Sequence, residues 1–139
     1  MNWKLIFQLS LFGLAMGIAT VYLIPGRFEP LVWLVIFAIS AYAIAAKGRG
    51  KPFQHGLLVG IANCIWVTGT HLLLLRDYLA NHPREAAAMA AMPLSDSPRL
   101  MMILVGPVIG VLSGCVIGLL ALLAGRFVGP RAAPATLAP

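Results

Sequence analysis

Charge is scarce in this sequence. Only 10% of its 139 residues are Asp, Glu, Lys or Arg, against about 25% in an ordinary soluble domain. Hydrophobic residues make up 60%, and mean hydropathy is +0.93. A soluble domain this small buries only about 70% of its surface, so it could not hide that much apolar area. The composition therefore argues against a soluble enzyme, a nucleic-acid reader and a disordered linker, and for one integral membrane domain. Cysteine is also scarce. Cys64 and Cys115 lie apart inside apolar runs, which excludes a C-x-x-C dithiol or a zinc knuckle and reads as two small buried hydrophobes. No Ser/His/Asp set, H-E-x-x-H, G-x-G-x-x-G or phosphate loop occurs, so neither an enzyme nor a bound cofactor is expected.

The apolar residues fall into four long runs, about 3–24, 30–46, 53–75 and 98–126. A helix needs about 20 mostly apolar residues to cross a bilayer core about 30 Å thick. The second run is short, at about 25 Å by helical rise. In lipid every backbone group must be paired internally, so these runs are expected to be helices. Pro25-Gly26 closes the first, Pro30 suits the first turn of the second, and Ser97 suits the N-cap of the fourth. The first run is too long for a signal h-region and no A-x-A site follows it, so it reads as a retained helix. The expected fold is all-α: a four-transmembrane-helix bundle over 1–126, a short extracytoplasmic helix at about 83–92 between spans 3 and 4, and a flexible cytoplasmic tail over 127–139. Pro107 is expected to bend the fourth span.

An even number of crossings puts both termini on one side. That side gathers Lys4, Lys47, Arg49, Lys51, Arg126 and Arg131 with no acid, whereas Arg27, Arg76, Arg84 and Arg99 on the other side are matched by Glu29, Asp77, Glu85 and Asp96. The whole formal charge of +6 thus sits on one face. The positive-inside rule makes that face cytoplasmic, which implies a multi-pass bacterial inner-membrane protein whose partner is the lipid bilayer and not nucleic acid. Trp3 and Phe53 on the inner side, and Tyr22 and Tyr78 on the outer, fit interfacial aromatic belts.

Lipid supplies no hydrophobic force between helices, so close backbone approach through small residues replaces it. Gly106, Gly110, Gly114 and Gly118 recur at four-residue intervals, Gly13 and Gly17 mark the first span, and Gly56 and Gly60 mark the third. Two uses of these faces stand open: packing within the chain, or one face left over for a second copy or a partner membrane protein. No span carries an Asp, Glu, Lys or Arg away from its ends. This argues against the small multidrug exporters that depend on a membrane-embedded glutamate. The intramembrane polar residues are Asn63, Thr70 and His71. Asn63 shares a helical stripe with Gly56, Gly60, Val67 and Thr70, so it is expected to face the interior near mid-depth, as an interhelical hydrogen bond or as one wall of a polar cavity. His71 and His55 read as satisfied groups near the two surfaces.

The segment 76–97 holds Pro83 and an alanine-rich stretch ended by Pro93. Soft ligands gather near it: Met89 and Met92 one turn apart, Met101 and Met102, and His71 with His82. Thioether and imidazole suit Cu(I) or Ag(I). Methionine in such a helix is more ordinarily apolar filling, so no metal site is assigned. The run Gly50-Lys-Pro-Phe-Gln-His-Gly-Leu-Leu-Val-Gly60, followed by Tyr78, Pro83 and the last span, resembles a family of functionally uncharacterised four-helix inner-membrane proteins of bacteria. The resemblance covers the second half of the chain and implies architecture and membrane location, with no activity. The expected function is a non-enzymatic accessory, scaffold or homo-oligomeric protein acting through helix contacts. A small transporter or channel along the Asn63 stripe is the alternative, and extracytoplasmic Cu(I)/Ag(I) handling a remote one.

Overall fold

A computed structural model describes residues 1–48 and 50–128. Six helices follow one another: α1 Trp3–Tyr22, α2 Glu29–Lys47, α3 Pro52–Leu73, α4 Leu75–Asn81, α5 Pro83–Ala90 and α6 Pro98–Gly125. Four of them, α1, α2, α3 and α6, are long and apolar enough to cross a membrane. The fold is an all-α four-span bundle. Of the tail read at 127–139, residues 129–139 lie outside the described residues, as does Arg49.

Helix ends follow local chemistry. Asn2 caps α1, its Oδ1 accepting the Leu5 N–H at 3.1 Å. Proline stands in the first turn of α2, α3, α5 and α6, where its missing N–H costs nothing. Ser97 precedes α6, but its side chain makes no capping bond. The third span is shorter than expected and ends at Leu73. After the single joint residue Leu74 the chain restarts as α4, a helix the apolar pattern did not announce. The outer helix α5 ends at Ala90, two residues before the expected limit. Pro107 stands inside α6, which continues through it.

Helix α3 is the central element, packed on α1 along one side and on α6 along the other, while α2 rests mainly on α6. Both α3 contacts are set by glycine, the one with α1 parallel and the one with α6 antiparallel. Between α3 and α6, a Cβ on Gly56 would strike the backbone of Gly118, and one on Gly60 the backbone of Gly114. A Cβ on Gly114 would lie 2.6 Å from the Leu57 carbonyl oxygen, and one on Gly118 2.8 Å from Phe53. Further out, Gly110 faces Cys64 and Gly106 faces Thr68. Between α1 and α3, Gly13 lies against the Asn63 backbone and Gly17 against Thr70 and Val67. All eight glycines thus lie against another helix of the same chain. Close approach brings side-chain polar groups onto neighbouring backbone. The Cys64 thiol donates to the Gly106 carbonyl at 2.8 Å.

Packing differs between the two ends. At the end holding Lys4, Lys47, Lys51 and Arg126, Leu5, Ile6, Leu9, Ala41, Ile44, Val59, Ile117 and Ala121 form one continuous apolar core. Val59, Ile117 and Ala121 have no exposed surface. His55, also fully buried, ties this end together. Its Nδ1–H donates to the Lys51 carbonyl at 3.0 Å, and its Nε2 accepts the Asn2 backbone N–H at 2.9 Å. The opposite end has a smaller cluster, Val21, Tyr78 and Met102, and leaves space beside it.

Candidate functional site

The space is a cavity of about 640 Å³, bounded by the outer halves of α2, α3 and α6 and covered by α5. Its existence follows from where α2 leans. Ala41 and Ile44 of α2 join the packed inner core and Phe37 packs against it, whereas Pro30 and Trp33 stand back and, with Phe37, form a wall of the cavity. Val105 and Ile109 of α6 form the facing wall, and Ala88, Met89 and Met92 lie above. Val105 is 39% and Ile109 55% exposed, so this wall of the cavity continues onto the apolar surface of α6. Its inner limit is Asn63 with Gly60, and beneath that the packed core begins.

Asn63 is only 4% exposed. The Gly13 backbone N–H donates to its Oδ1 at 3.0 Å, which fixes the amide because only the oxygen can accept. Its Nδ2 is therefore turned away from α1 and has no hydrogen-bond partner. A buried donor in this state costs about 1–3 kcal/mol. Cys64 and Thr68 line the same α3 wall.

Toward the mouth the character changes. Glu29, in the first turn of α2, lines the cavity and accepts from Trp33 Nε1–H at 3.3 Å. That bond holds the indole, whose ring is tilted against Phe37 at 5.8 Å between centroids. Glu85 of α5 lines the cavity from the other side and rests on Gly26 of the α1–α2 turn, where any side chain would strike its carboxylate. No Lys or Arg is among the lining residues. Tyr78 completes the mouth. It was expected in an outer aromatic belt but is 8% exposed, stacked between His71 at 4.2 Å and His82 at 4.6 Å. The helix break at Leu74 turns its ring inward. Burial pushes its phenol up to about 12, and the nearby carboxylates of Glu29 and Glu85 push the same way.

The expected polar residues are accounted for one by one. Thr70 returns its hydroxyl to the Trp66 carbonyl at 2.8 Å and lies on Gly17. Thr20 gives its proton to the Met16 carbonyl at 2.7 Å, which leaves its oxygen to accept from His71 Nε2–H at 2.8 Å. His82 Nδ1–H donates to the Tyr78 carbonyl at 3.0 Å, and its Nε2 is buried and unpartnered. Met89, Met92, Met101 and Met102 line the cavity with His71, whereas His82 does not. Met102 belongs to an apolar cluster with Met89 packed on it, and Met92 is 46% exposed. Among the described residues no group of three or more His, Cys, Asp or Glu could hold a metal ion. The sequence reading missed Glu29, Glu85 and Trp33. Each looked like an ordinary helix-end residue, and the available signal was Glu29 and Trp33 at i and i+4 on one helix face.

No family model matches the chain, and no solved structure matches it. Two curated relatives do. They are the UDP-N-acetylglucosamine--N-acetylmuramyl-(pentapeptide) pyrophosphoryl-undecaprenol N-acetylglucosamine transferases of Nitratidesulfovibrio vulgaris strain DP4 and strain Hildenborough, each 32% identical over 93 residues. The similarity covers 62% of this chain, which spans 26% of the length of those relatives.

Proposed function

We propose that this chain is a non-enzymatic membrane protein that binds an apolar-bodied small molecule in its outer-half cavity. The observation that carries the reading is the cavity itself, which reaches inward to the buried Asn63. Its walls are apolar with a few placed polar groups, the usual make-up of a small-molecule site. Entry past the exposed Val105 and Ile109 would suit a ligand that arrives dissolved in the bilayer. The cationic end, with Lys4, Lys47, Lys51 and Arg126 and no acid among the described residues, supports a bacterial inner-membrane protein with both termini cytoplasmic. The cavity then faces the extracytoplasmic leaflet.

The glycine faces are covered within the chain, which favours a self-contained bundle. Any accessory contact or second copy would use the apolar outer surfaces of α2 and α6. Transport is the second reading, favoured by the reach of the cavity to Asn63. The packed core of Val59, Ile117 and Ala121 stands below it, so passage needs that plug to part. The relatives are named for a pyrophosphoryl-undecaprenol substrate. A long apolar chain suits these walls, but a pyrophosphate would meet two carboxylates at the mouth.

Native mass spectrometry of the protein released from phospholipid nanodiscs tests the proposal. Wild-type protein should retain amphiphile adducts. Val105→Trp and Ala88→Trp fill the cavity from two different walls at exposed positions and should each lose most of them while remaining folded. Equal retention by all three proteins would overturn it.

A further inference from the structure

The ligand's charge can be read from the mouth of the cavity. We infer that the cavity selects an ammonium-headed amphiphile, its cationic head held between Glu29, Glu85 and the ring of Trp33, and its apolar tail directed toward Asn63. The inference rests on the cavity-binding reading and adds the class of ligand.

Three features converge on it. First, the two lining carboxylates come from different helices, α2 and α5, so the fold and not the local sequence brings them to one opening. No lining Lys or Arg offsets them. Arg27, next to Gly26 in sequence, lies over the Phe28 ring at 4.7 Å and is not part of the lining. Both carboxylates are close enough to act on the Tyr78 hydroxyl, which places their fields in the same volume. Second, an aromatic face stands beside the acids. Trp33 lines the cavity, and indole is the best cation–π partner among side chains. A methylated or primary ammonium is stabilised by that combination, and an anionic head is repelled by it. Third, the walls below the mouth are apolar and run inward to Asn63, so a bare inorganic cation would leave most of the cavity unused.

An ammonium on an apolar tail has two sources in a membrane: a free lipophilic amine, or the headgroup of phosphatidylethanolamine. The test presents both. The protein is placed in phosphatidylglycerol nanodiscs, which bring no ammonium of their own, and bound adducts are counted by native mass spectrometry. Dodecyltrimethylammonium, dodecanol and dodecanoate are added separately, as one tail with cationic, neutral and anionic heads. Phosphatidylethanolamine is added in a fourth arm. The same series is run on Glu29→Gln/Glu85→Gln, which also corrects for the attraction of cations to the anionic lipid.

Wild-type protein should bind dodecyltrimethylammonium at a concentration at least tenfold lower than dodecanol, with dodecanoate weakest. The double variant should lose that preference and keep its dodecanol binding. Phosphatidylethanolamine binding as tight as that of the free amine identifies a lipid ligand, and its failure beside a tight free amine identifies a small amphiphile. Both outcomes uphold the selection of an ammonium. Equal binding of the three heads, or a preference that survives the double variant, overturns the inference while leaving the cavity-binding reading intact. Absence of all adducts overturns both.

Discussion

Tyr78 shows how much a single residue's surroundings decide. By composition it belongs at a lipid–water boundary, with its ring in the headgroups and its hydroxyl in water. Here it is stacked between two imidazoles and lines the cavity with its hydroxyl near two carboxylates. A phenol raised to about 12 in the fold and near 10 in an unfolded chain ties stability to alkaline pH. Below about pH 10 both states hold the proton and the contribution is fully present. Above it only the unfolded state loses the proton, so stability should fall as pH rises from about 10 through about 12. Ultraviolet phenolate titration of wild-type and Tyr78→Phe protein checks this. The absorbance missing from the variant should be the component near pH 12, and loss of a component near pH 10 would contradict the burial. Asn63 is the opposite case. Its interior position was legible from the stripe it shares with Gly60 and Val67. Its free Nδ2 was not legible, because that depends on Gly13 of another helix taking Oδ1.

Among the elements, the pair α3 and α6 is the most constrained. Its spacing is set where backbone meets backbone, so a single methyl group acts on the distance between two whole helices. Gly114→Ala would place a Cβ 2.6 Å from the Leu57 carbonyl oxygen. Overpacking of this kind costs about 1–3 kcal/mol. Gly69 is a helical glycine with nothing within 4 Å of an added Cβ, so Gly69→Ala should be neutral or stabilising by up to about 1 kcal/mol, the helix preference of alanine over glycine. Thermal or detergent-titrated unfolding of the two variants separates these outcomes, and equal midpoints would argue against glycine-set spacing. Helix existence was readable from apolar length, and the packing faces from the four-residue glycine interval. The joint at Leu74 was not readable. Hydropathy runs on through Leu72, Leu73, Leu74 and Leu75, and no proline or glycine marks the turn, so tertiary contact decides it. Asn81 of α4 donates to the Val21 carbonyl at the end of α1 at 2.8 Å, and Asp77 accepts from the Tyr22 hydroxyl at 2.8 Å.

For the whole molecule, the sequence carried the architecture further than the site. Four apolar runs and a lopsided charge distribution suffice for a four-span bundle, because lipid leaves few alternatives for a backbone. A cavity is different. It lies where α2, joined to the core through Ala41 and Ile44, lines a space with Pro30 and Trp33, which no residue pattern encodes directly, and its acids come from positions 56 residues apart (Glu29 and Glu85). The expected orientation is tested with single cysteines and a membrane-impermeant thiol reagent on intact cells, in a background with Cys64 and Cys115 replaced by alanine. Arg84→Cys should label from outside and Lys47→Cys only after permeabilisation, and the reverse pattern would invert the topology. In the proposed reading a ligand enters from the bilayer along the flank between α2 and α6 and never crosses water on its way in, so its occupancy follows its mole fraction among the surrounding lipids. Diluting the aqueous phase leaves such a ligand in place, and adding lipid draws it off.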